Sequence, residues 1–191
     1  MKKIVRFILF AIAVFTCTNS GYSQTIYQFP ENGTPFFKVT IPYNWDVKYL
    51  NDPGRPANDH GEIAFLPKDL NAATGPFVAI TRAAMNPDSP NATAEIINGS
   101  KEFVSGILTE VKWKGTPQAI TSTKGLTFIT DTGSGIFIND NGSREARVCA
   151  LYYFSPDDRQ KLGMVTIATQ AAMDKYGTTL TQIINSIGPG K

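Results

Sequence analysis

The sequence predicts an α+β fold in which helices pack against a single antiparallel β-sheet. Three observations predict this class. Runs rich in β-branched and aromatic residues occupy both halves of the chain, and short turn-forming segments join many of them, which favours hairpins over helical crossovers. One helical pattern separates the two groups of strands, and a second follows the last strand. The chain therefore has the element order strands, helix, strands, helix. This order is typical of a sheet covered by helices, an α/β/α sandwich.

The N-terminal residues 1–23 are predicted to be an export signal. Three basic residues precede an apolar run over residues 7–15, and small and polar residues follow up to Ser23. This is the order of the charged, apolar and cleavage regions of a secretory signal. The apolar run is shorter than the roughly 20 residues that span a bilayer. We therefore expect cleavage before Gln24 and a single globular domain over residues 24–191.

Cys17 gives the leader a second interpretation. Lipoprotein signals place an aliphatic residue three positions before the modified cysteine and a small residue directly before it. Val14 fits the first requirement, whereas Phe15 and Thr16 fit the pattern poorly. Lipidation of Cys17 would tether the domain to a membrane by acyl chains without making it an integral protein. Cleavage before Gln24 is the favoured prediction, and a lipid anchor at Cys17 is the alternative.

Removal of the leader changes the charge of the chain. Of 18 basic and 16 acidic residues, three basic and no acidic residues lie in the leader, so the mature chain has 15 against 16 and a net charge of −1. Such a surface gives no support for binding nucleic acid or an anionic membrane, which needs clustered Lys and Arg. The mature chain keeps one cysteine, Cys149, within an apolar run, and we expect it to be buried.

The first half of the mature chain is predicted to form four strands followed by a helix. The strands are expected at residues 36–41, 46–50, 62–66 and 77–82, with a loop from Asn51 to His60. Asn91 or Thr93 is expected to cap the helix. Its apolar positions recur at spacings of three, four or seven; they are Ala94, Ile97, Val104, Leu108 and Val111.

The second half is predicted to form two hairpins, one further strand and a C-terminal helix. The hairpins pair residues 118–123 with 126–130 and residues 136–139 with 145–154, the second through a type I′ turn at Asn141-Gly142. A strand follows over residues 161–169. The C-terminal helix has an apolar stripe, and Gly188-Pro189-Gly190 is expected to end it; the stripe comprises Met173, Tyr176, Leu180, Ile183, Ile184 and Ile187.

Two segments resemble a known group of proteins. They are residues 37–45, Phe-Lys-Val-Thr-Ile-Pro-Tyr-Asn-Trp, and the end of the last helix over residues 183–187, Ile-Ile-Asn-Ser-Ile. Both resemble the Mog1/PsbP-like and DcrB-like α/β sandwich proteins, and the likeness extends over nearly the whole mature chain. The resemblance implies an antiparallel sheet between helices, frequent export or lipid anchoring in bacteria, and function by binding. It supplies no catalytic motif and no cofactor, and Pro42 and Trp45 are assigned structural roles.

The segment Asp131-Thr132-Gly133-Ser134, preceded by Phe-Ile-Thr, resembles the active-site signature of aspartic proteases. In those enzymes two carboxylates share a proton and activate water. A single copy requires two chains paired about a two-fold axis, so this hypothesis predicts an obligate dimer that uses Asp131. The alternative is a turn between two strands, because these residue types favour turns. We favour the turn, since the nearest match to the second protease element, Ser186-Ile187-Gly188, ends a predicted helix.

A second candidate site is an acidic segment that holds the only histidine of the chain. Asp59, His60 and Glu62, with Asp52 nearby, supply oxygen donors and one imidazole. Their spacing matches no defined zinc or calcium pattern. We favour a solvated loop and predict no metal and no cofactor.

Aromatic residues crowd the start of the mature chain, and most of them are expected in the core. Tyr43, Tyr49 and Arg55 are the candidates for a partner-binding surface, because aromatic, arginine and loop residues are common in interfaces. The sequence therefore favours an exported, non-catalytic binding or assembly module of the bacterial cell envelope, with another envelope protein as its partner. The alternatives are a dimeric aspartic-type protease and an envelope immunity or inhibitor protein.

Overall fold

A computed structural model describes residues 23–31, 33–51, 60–71, 75–82, 91–157 and 160–190. Most of the predicted export signal and most of the predicted loop between Asn51 and His60 lie outside these residues. The predictions for Cys17, Arg55 and Asp59 therefore lie outside the described residues as well.

The described residues form eleven strands and two helices. In chain order they are β1 (Gln24–Phe29), β2 (Phe37–Pro42), β3 (Trp45–Asn51), β4 (His60–Pro67), β5 (Pro76–Arg82), α1 (Ala92–Ile107), β6 (Thr109–Trp113), β7 (Gln118–Thr121), β8 (Thr127–Ile138), β9 (Arg144–Asp157), β10 (Gln160–Ala168), α2 (Gln170–Ser186) and β11 (Gly188–Pro189). Strands β1, β6 and β11 are additions to the elements that the sequence predicts.

The strands divide between two antiparallel sheets. The large sheet has eight strands in the order β3-β4-β5-β10-β9-β8-β6, with β7 also paired to β8. The small sheet has three strands in the order β1-β2-β11. The chain passes from the small sheet to the large one at the turn formed by Tyr43 and Asn44. The predicted α+β class, with helices on antiparallel strands, is confirmed, but the strands form two sheets rather than the single sheet that the sequence predicted.

Helix α2 confirms the predicted C-terminal helix and its apolar stripe. Thr169 is the N-cap residue, and its hydroxyl accepts a hydrogen bond from the backbone N–H of Ala172 at 3.0 Å. The stripe packs into the larger apolar cluster of the described residues, to which both sheets contribute and which we call the main core. Its buried members are Tyr176, Leu180, Ile183 and Ile184, followed by Ile187 just beyond the helix.

Helix α1 confirms the predicted central helix and the burial of Val104 and Leu108, but the prediction was wrong about the rest of its buried face and about its end. Asn91 occupies the N-cap position. The buried positions are Ala92, Ile96 and Val104, whereas Ala94 is exposed. The helix ends at Ile107 because Leu108 adopts extended backbone angles, φ −111° and ψ 141°. The predicted helical residue Val111 lies in β6.

Both predicted hairpins are confirmed, but the turn type at Asn141-Gly142 was wrong. A type I′ turn needs positive φ at both central residues. In the described chain, Glu110 is the only residue other than glycine with positive φ, so Asn141 does not fit. Gly142 has φ 79°, and its N–H donates to Asn139 O at 2.8 Å. This is a type I turn closed by a left-handed glycine, and the β7–β8 turn repeats it with Gly125 at φ 81°.

Candidate functional site

Asp131 lies inside strand β8, so the turn predicted around it was wrong. The strand runs without interruption through the whole Asp-Thr-Gly-Ser-Gly segment. The glycines are needed there for clearance rather than for a turn. A Cβ on Gly133 would lie 2.9 Å from Cε3 of Trp113, and a Cβ on Gly135 would lie 3.0 Å from Cβ of Leu108. The missing side chains let β6 and the end of α1 pack closely on β8.

The Asp131 carboxylate pairs with a cation from α1. Its side chain is 4% exposed, and one carboxylate oxygen lies 2.8 Å from Nζ of Lys101. The same ammonium lies 5.1 Å from the ring centre of Trp113. The adjoining cleft between α1 and the sheet has a volume of about 10 Å³, room for about one water molecule. Asp131 therefore links α1 to β8, and the dimeric protease hypothesis stays a prediction.

Cys149 is buried on the same face of the large sheet, as predicted. It is 4% exposed, and burial, with the charge of Asp131 adding to it, raises the pKa of the thiol to about 11. The thiol is therefore protonated at neutral pH and is a poor nucleophile. Arg147, two residues earlier, is also buried and pairs with the carboxylate of Glu145 at 2.6 Å. This face combines a small apolar cluster with paired charges.

Little of the candidate metal site falls within the described residues. His60 begins β4, and Glu62 follows in the same strand, where it is half-buried. Across the residues that the structure describes, no three His, Cys, Asp or Glu side chains are grouped so that they could hold a metal ion. Since Asp59 lies outside those residues, the expectation of a metal-free loop stays a prediction.

The two tyrosines predicted to form a partner surface occupy different environments. Tyr43 lies in the turn between β2 and β3 and is 53% exposed. Tyr49 lies in β3, packs against the main core and donates a hydrogen bond from its hydroxyl to Gln28 O at 2.7 Å. Burial, with a smaller contribution from the charge of Glu31, raises the pKa of Tyr49 to about 12. Of the two, Tyr43 is the residue that offers an open surface.

A groove that the sequence did not predict runs between the small sheet, the β7–β8 turn and α2. Its volume is about 820 Å³. Most of the side chains that line it are neutral and carry a hydroxyl or an amide. The lining consists of Gln24, Thr40, Pro42, Asn44, Thr123, Lys124, Lys175, Tyr176, Thr178, Thr179, Gln182, Ile183, Asn185 and Ser186. We call this region the α2 groove.

Among the described residues, the charged ones that line the α2 groove are both lysines. Lys124 comes from the β7–β8 turn and Lys175 from α2, and no carboxylate is among the lining residues. Lys175 pairs with the carboxylate of Asp69 at 2.9 Å, just outside the groove lining. Hydrogen bonding to Tyr176 and to Asp69 raises the pKa of Lys175 to about 12. The groove is therefore positively charged, and Asp69 partly compensates this charge at one lysine.

Hydrogen bonds fix the walls of the α2 groove to one another. Ser186 Oγ accepts from the backbone N–H of Thr40 at 2.9 Å, which joins the end of α2 to β2. Thr123 Oγ1 donates to Asn185 O at 2.9 Å, which joins the β7–β8 turn to α2. The groove is thus a formed feature of the folded chain. The signal that would have indicated it is the absence of charged residues over 176–186 on a helix with an exposed face.

Comparisons with known proteins identify the fold. No family model matches the sequence, and no curated protein matches it. Among solved structures, cyanobacterial PsbP (CyanoP) from Synechocystis is similar with a TM-score of 0.53 and 11% identity, over 92% of this chain and 98% of that chain. The fold is PsbP-like. The Mog1/PsbP-like architecture expected from the sequence is therefore confirmed.

Two further structures are similar to this chain at lower scores. LpqN, involved in cell envelope biogenesis of Mycobacterium tuberculosis, has a TM-score of 0.49 and 13% identity over 86% of this chain and 89% of its own. The Saccharomyces cerevisiae Ran-binding protein Mog1p has a TM-score of 0.45 and 10% identity over 89% of this chain and 97% of its own.

Neither α1 nor α2, the helices of the described chain, has the length and apolar character that crossing a bilayer requires.

Proposed function

We propose that this protein is an exported, non-catalytic binding module of the bacterial cell envelope. It holds an extended segment of another envelope protein along the outer edge of β1. The main support for the proposal is the strand pairing and the composition of β1. Within the described residues β1 pairs only with β2, and its sequence Gln-Thr-Ile-Tyr-Gln-Phe contains no charged residue and no proline. Residues 24–27 of such an edge can accept a further strand through main-chain hydrogen bonds, whereas the carbonyl of Gln28 already accepts from Tyr49.

The edges of the large sheet differ from β1. Natural proteins protect edge strands with charged side chains, bulges or short length. At one edge, β3 carries Asp46 and Lys48. At the other, β6 carries Glu110 and Lys112 and has an irregular register with β8, and β7 has four residues. Strand β1 has no charged side chain, so its edge is not protected in this way. It is therefore suited to pairing with a strand of a partner.

Exposed apolar side chains support the same surface. Ile26 of β1 is 69% exposed, and Tyr43 is 53% exposed. Gln24 pairs with Pro42, the residue before Tyr43, so the Tyr43 turn adjoins the start of β1. A strand added at β1 would gain main-chain hydrogen bonds from the edge and apolar contacts from Ile26. Export rests on the basic, apolar and polar order of the predicted leader.

The export part of the proposal is tested by the intact mass of the protein recovered from the envelope. A mass that begins at Gln24 supports a free exported domain. A mass that begins at an acylated Cys17 supports a tethered one. A full-length chain in the cytoplasm would contradict export.

The binding part is tested by photo-crosslinking in living cells. A photoreactive residue at position 26 is expected to capture an envelope protein. The matched control is position 138 in β8 of the large sheet, where Ile138 is 47% exposed. With the photoreactive residue at Tyr43 instead, Ile26→Lys should remove the adduct, because a charge at an edge opposes strand addition. Equal capture at positions 26 and 138 would contradict the proposal.

A further inference from the structure

The α2 groove has the volume and the pre-formed walls of a small-molecule site. Its volume of about 820 Å³ falls within the range of about 300–1,000 Å³ that is usual for ligand pockets. The Thr40–Ser186 and Thr123–Asn185 hydrogen bonds already hold its walls together. A ligand would therefore meet a formed site and would not have to order it.

The hydrogen-bonding groups of the groove suit a ligand with many hydroxyls. Thr178, Gln182 and Asn185 follow one another at spacings of four and three on α2, so they share one face of the helix. Amide side chains both donate and accept hydrogen bonds, and so do the hydroxyls of threonine. Sugar hydroxyls have the same double capacity. Solvent-facing helix positions commonly carry Lys or Glu, and α2 carries neither over residues 176–186.

The charge of the groove adds a preference for an acidic ligand. In the described part of the chain the ammonium of Lys124 makes no ion pair, whereas Lys175 is paired with Asp69. A carboxylate beside Lys124 would form a charge-assisted hydrogen bond. Since none of the described lining residues carries a carboxylate, these side chains would not repel such a group.

We propose that the α2 groove binds a short acidic oligosaccharide. The hydroxyls of the sugar meet the amides and hydroxyls of α2, and a carboxylate of the sugar meets Lys124. This site goes beyond the strand-binding edge of β1, and it depends on different side chains. The two proposals can therefore fail separately.

The first test compares two trisaccharides by isothermal titration calorimetry with the exported protein. Trigalacturonate is acidic, and maltotriose is a neutral sugar with the same number of rings. We expect trigalacturonate to bind about tenfold more tightly, since hydrogen bonds to charged groups are stronger than neutral ones. Rising salt should reduce this preference. Backbone amide shifts in NMR spectra should map to Thr178, Gln182 and Asn185.

The second test uses matched lysine variants. Lys124→Gln should weaken trigalacturonate binding about tenfold and leave the affinity for maltotriose unchanged. Gln182→Ala should weaken both sugars. The control is Lys112→Gln, which removes an exposed lysine from β6 of the large sheet and should change neither affinity.

Three results would overturn the inference. They are no binding of trigalacturonate at millimolar concentration, equal losses for Lys124→Gln and Lys112→Gln, and amide shifts that map outside the groove. A pentaglutamate peptide is the comparison ligand for charge alone. If it binds as tightly as trigalacturonate, the groove recognises an acidic peptide and the assignment to a sugar is wrong. Crosslinking at Ile26 is independent of all these results.

Discussion

Helices α1 and α2 cover different apolar clusters, and they do so by different means. The α2 side meets a large apolar cluster to which both sheets contribute and which has nineteen buried members among the described residues. The α1 side meets a smaller cluster of six buried residues beside the Asp131–Lys101 pair and the buried Arg147. The α2 side therefore depends mainly on buried apolar volume. The α1 side depends on close backbone approach at glycines and on paired charges.

The difference shows how a strand can carry a segment that looks like a turn. On the α1 side of β8, Gly133 and Gly135 leave space for Trp113 and Leu108, and Asp131 supplies the charge that Lys101 needs. The same residue types favour turns in isolation. Tertiary packing, rather than local preference, decides their conformation here.

The largest expected effect tests the volume dependence of the α2 side. Phe128 is fully buried, and its ring centre lies 4.8 Å from that of Phe154. Phe128→Ala should lower the free energy of unfolding by about 3–5 kcal/mol, because it removes apolar contacts and leaves a cavity. Urea denaturation measures the loss. Ile138→Ala, at the exposed end of the same strand, is the control and should stay within about 0.5 kcal/mol of wild type.

The next effect tests the charge pair on the α1 side. Asp131→Asn should lower the free energy of unfolding by about 1–3 kcal/mol, because the partly buried ammonium of Lys101 loses the carboxylate that lies 2.8 Å away. A double-mutant cycle with Lys101→Met isolates the contribution of the pair. Additive losses would show that the two side chains are not coupled. Peptide cleavage by the wild-type protein that is lost in Asp131→Asn would instead support the protease hypothesis.

A third variant tests the close approach of β6. Gly133→Ala would place a Cβ 2.8 Å from Lys112 O and 2.9 Å from Trp113 Cε3, so it should cost about 1–3 kcal/mol of stability. Gly99→Ala in α1 is the matched control, since nothing lies within 4 Å of its Cβ position. The control should gain up to about 1 kcal/mol from higher helix propensity. If both variants gain stability, the α1 side does not depend on glycine clearance.

The last effect is a pH dependence at Cys149, which is absent at neutral pH and develops only above pH 9. Burial, with the charge of Asp131 adding to it, raises the pKa of this thiol from 9.0 to about 11 in the folded protein. The unfolded chain therefore releases the proton first, and stability should fall as pH rises from 9 to 11. The difference in unfolding free energy between wild type and Cys149→Ala should narrow over this interval. Parallel curves for the two proteins would contradict the prediction.

The parts of the fold with regular periodicity could be predicted from the sequence. The stripe of α2 keeps its helical spacing from Tyr176 to Ile184, and Gly125 and Gly142 mark both hairpins. The buried face of α1 was harder to predict, because apolar residues and Ala lie on more than one side of that helix. Its true buried face, Ala92, Ile96 and Val104, follows a spacing that the sequence also allows.

The candidate sites could be predicted only in part. Tyr43 and Tyr49 were both predicted to lie on a partner surface, but only Tyr43 is exposed, whereas Tyr49 packs against the core. The α2 groove combines β1, β2, a turn and α2, which are far apart in the chain, so no local pattern indicates it. The local indication of the groove is that residues 176–186 of α2 contain no charged residue.

The small sheet also has a consequence for the order in which the molecule assembles. Its central strand β2 is flanked by β1 and β11, which are the first and the last strands of the described residues. Gly188 pairs with Lys38, and the backbone N–H of Gly190 donates to Phe36 O at 3.0 Å. A chain that is still being synthesised lacks β11, so it cannot complete this sheet. Closure of the small sheet therefore waits for residues 188–190, and a truncation before Gly188 would leave one side of β2 without its partner strand.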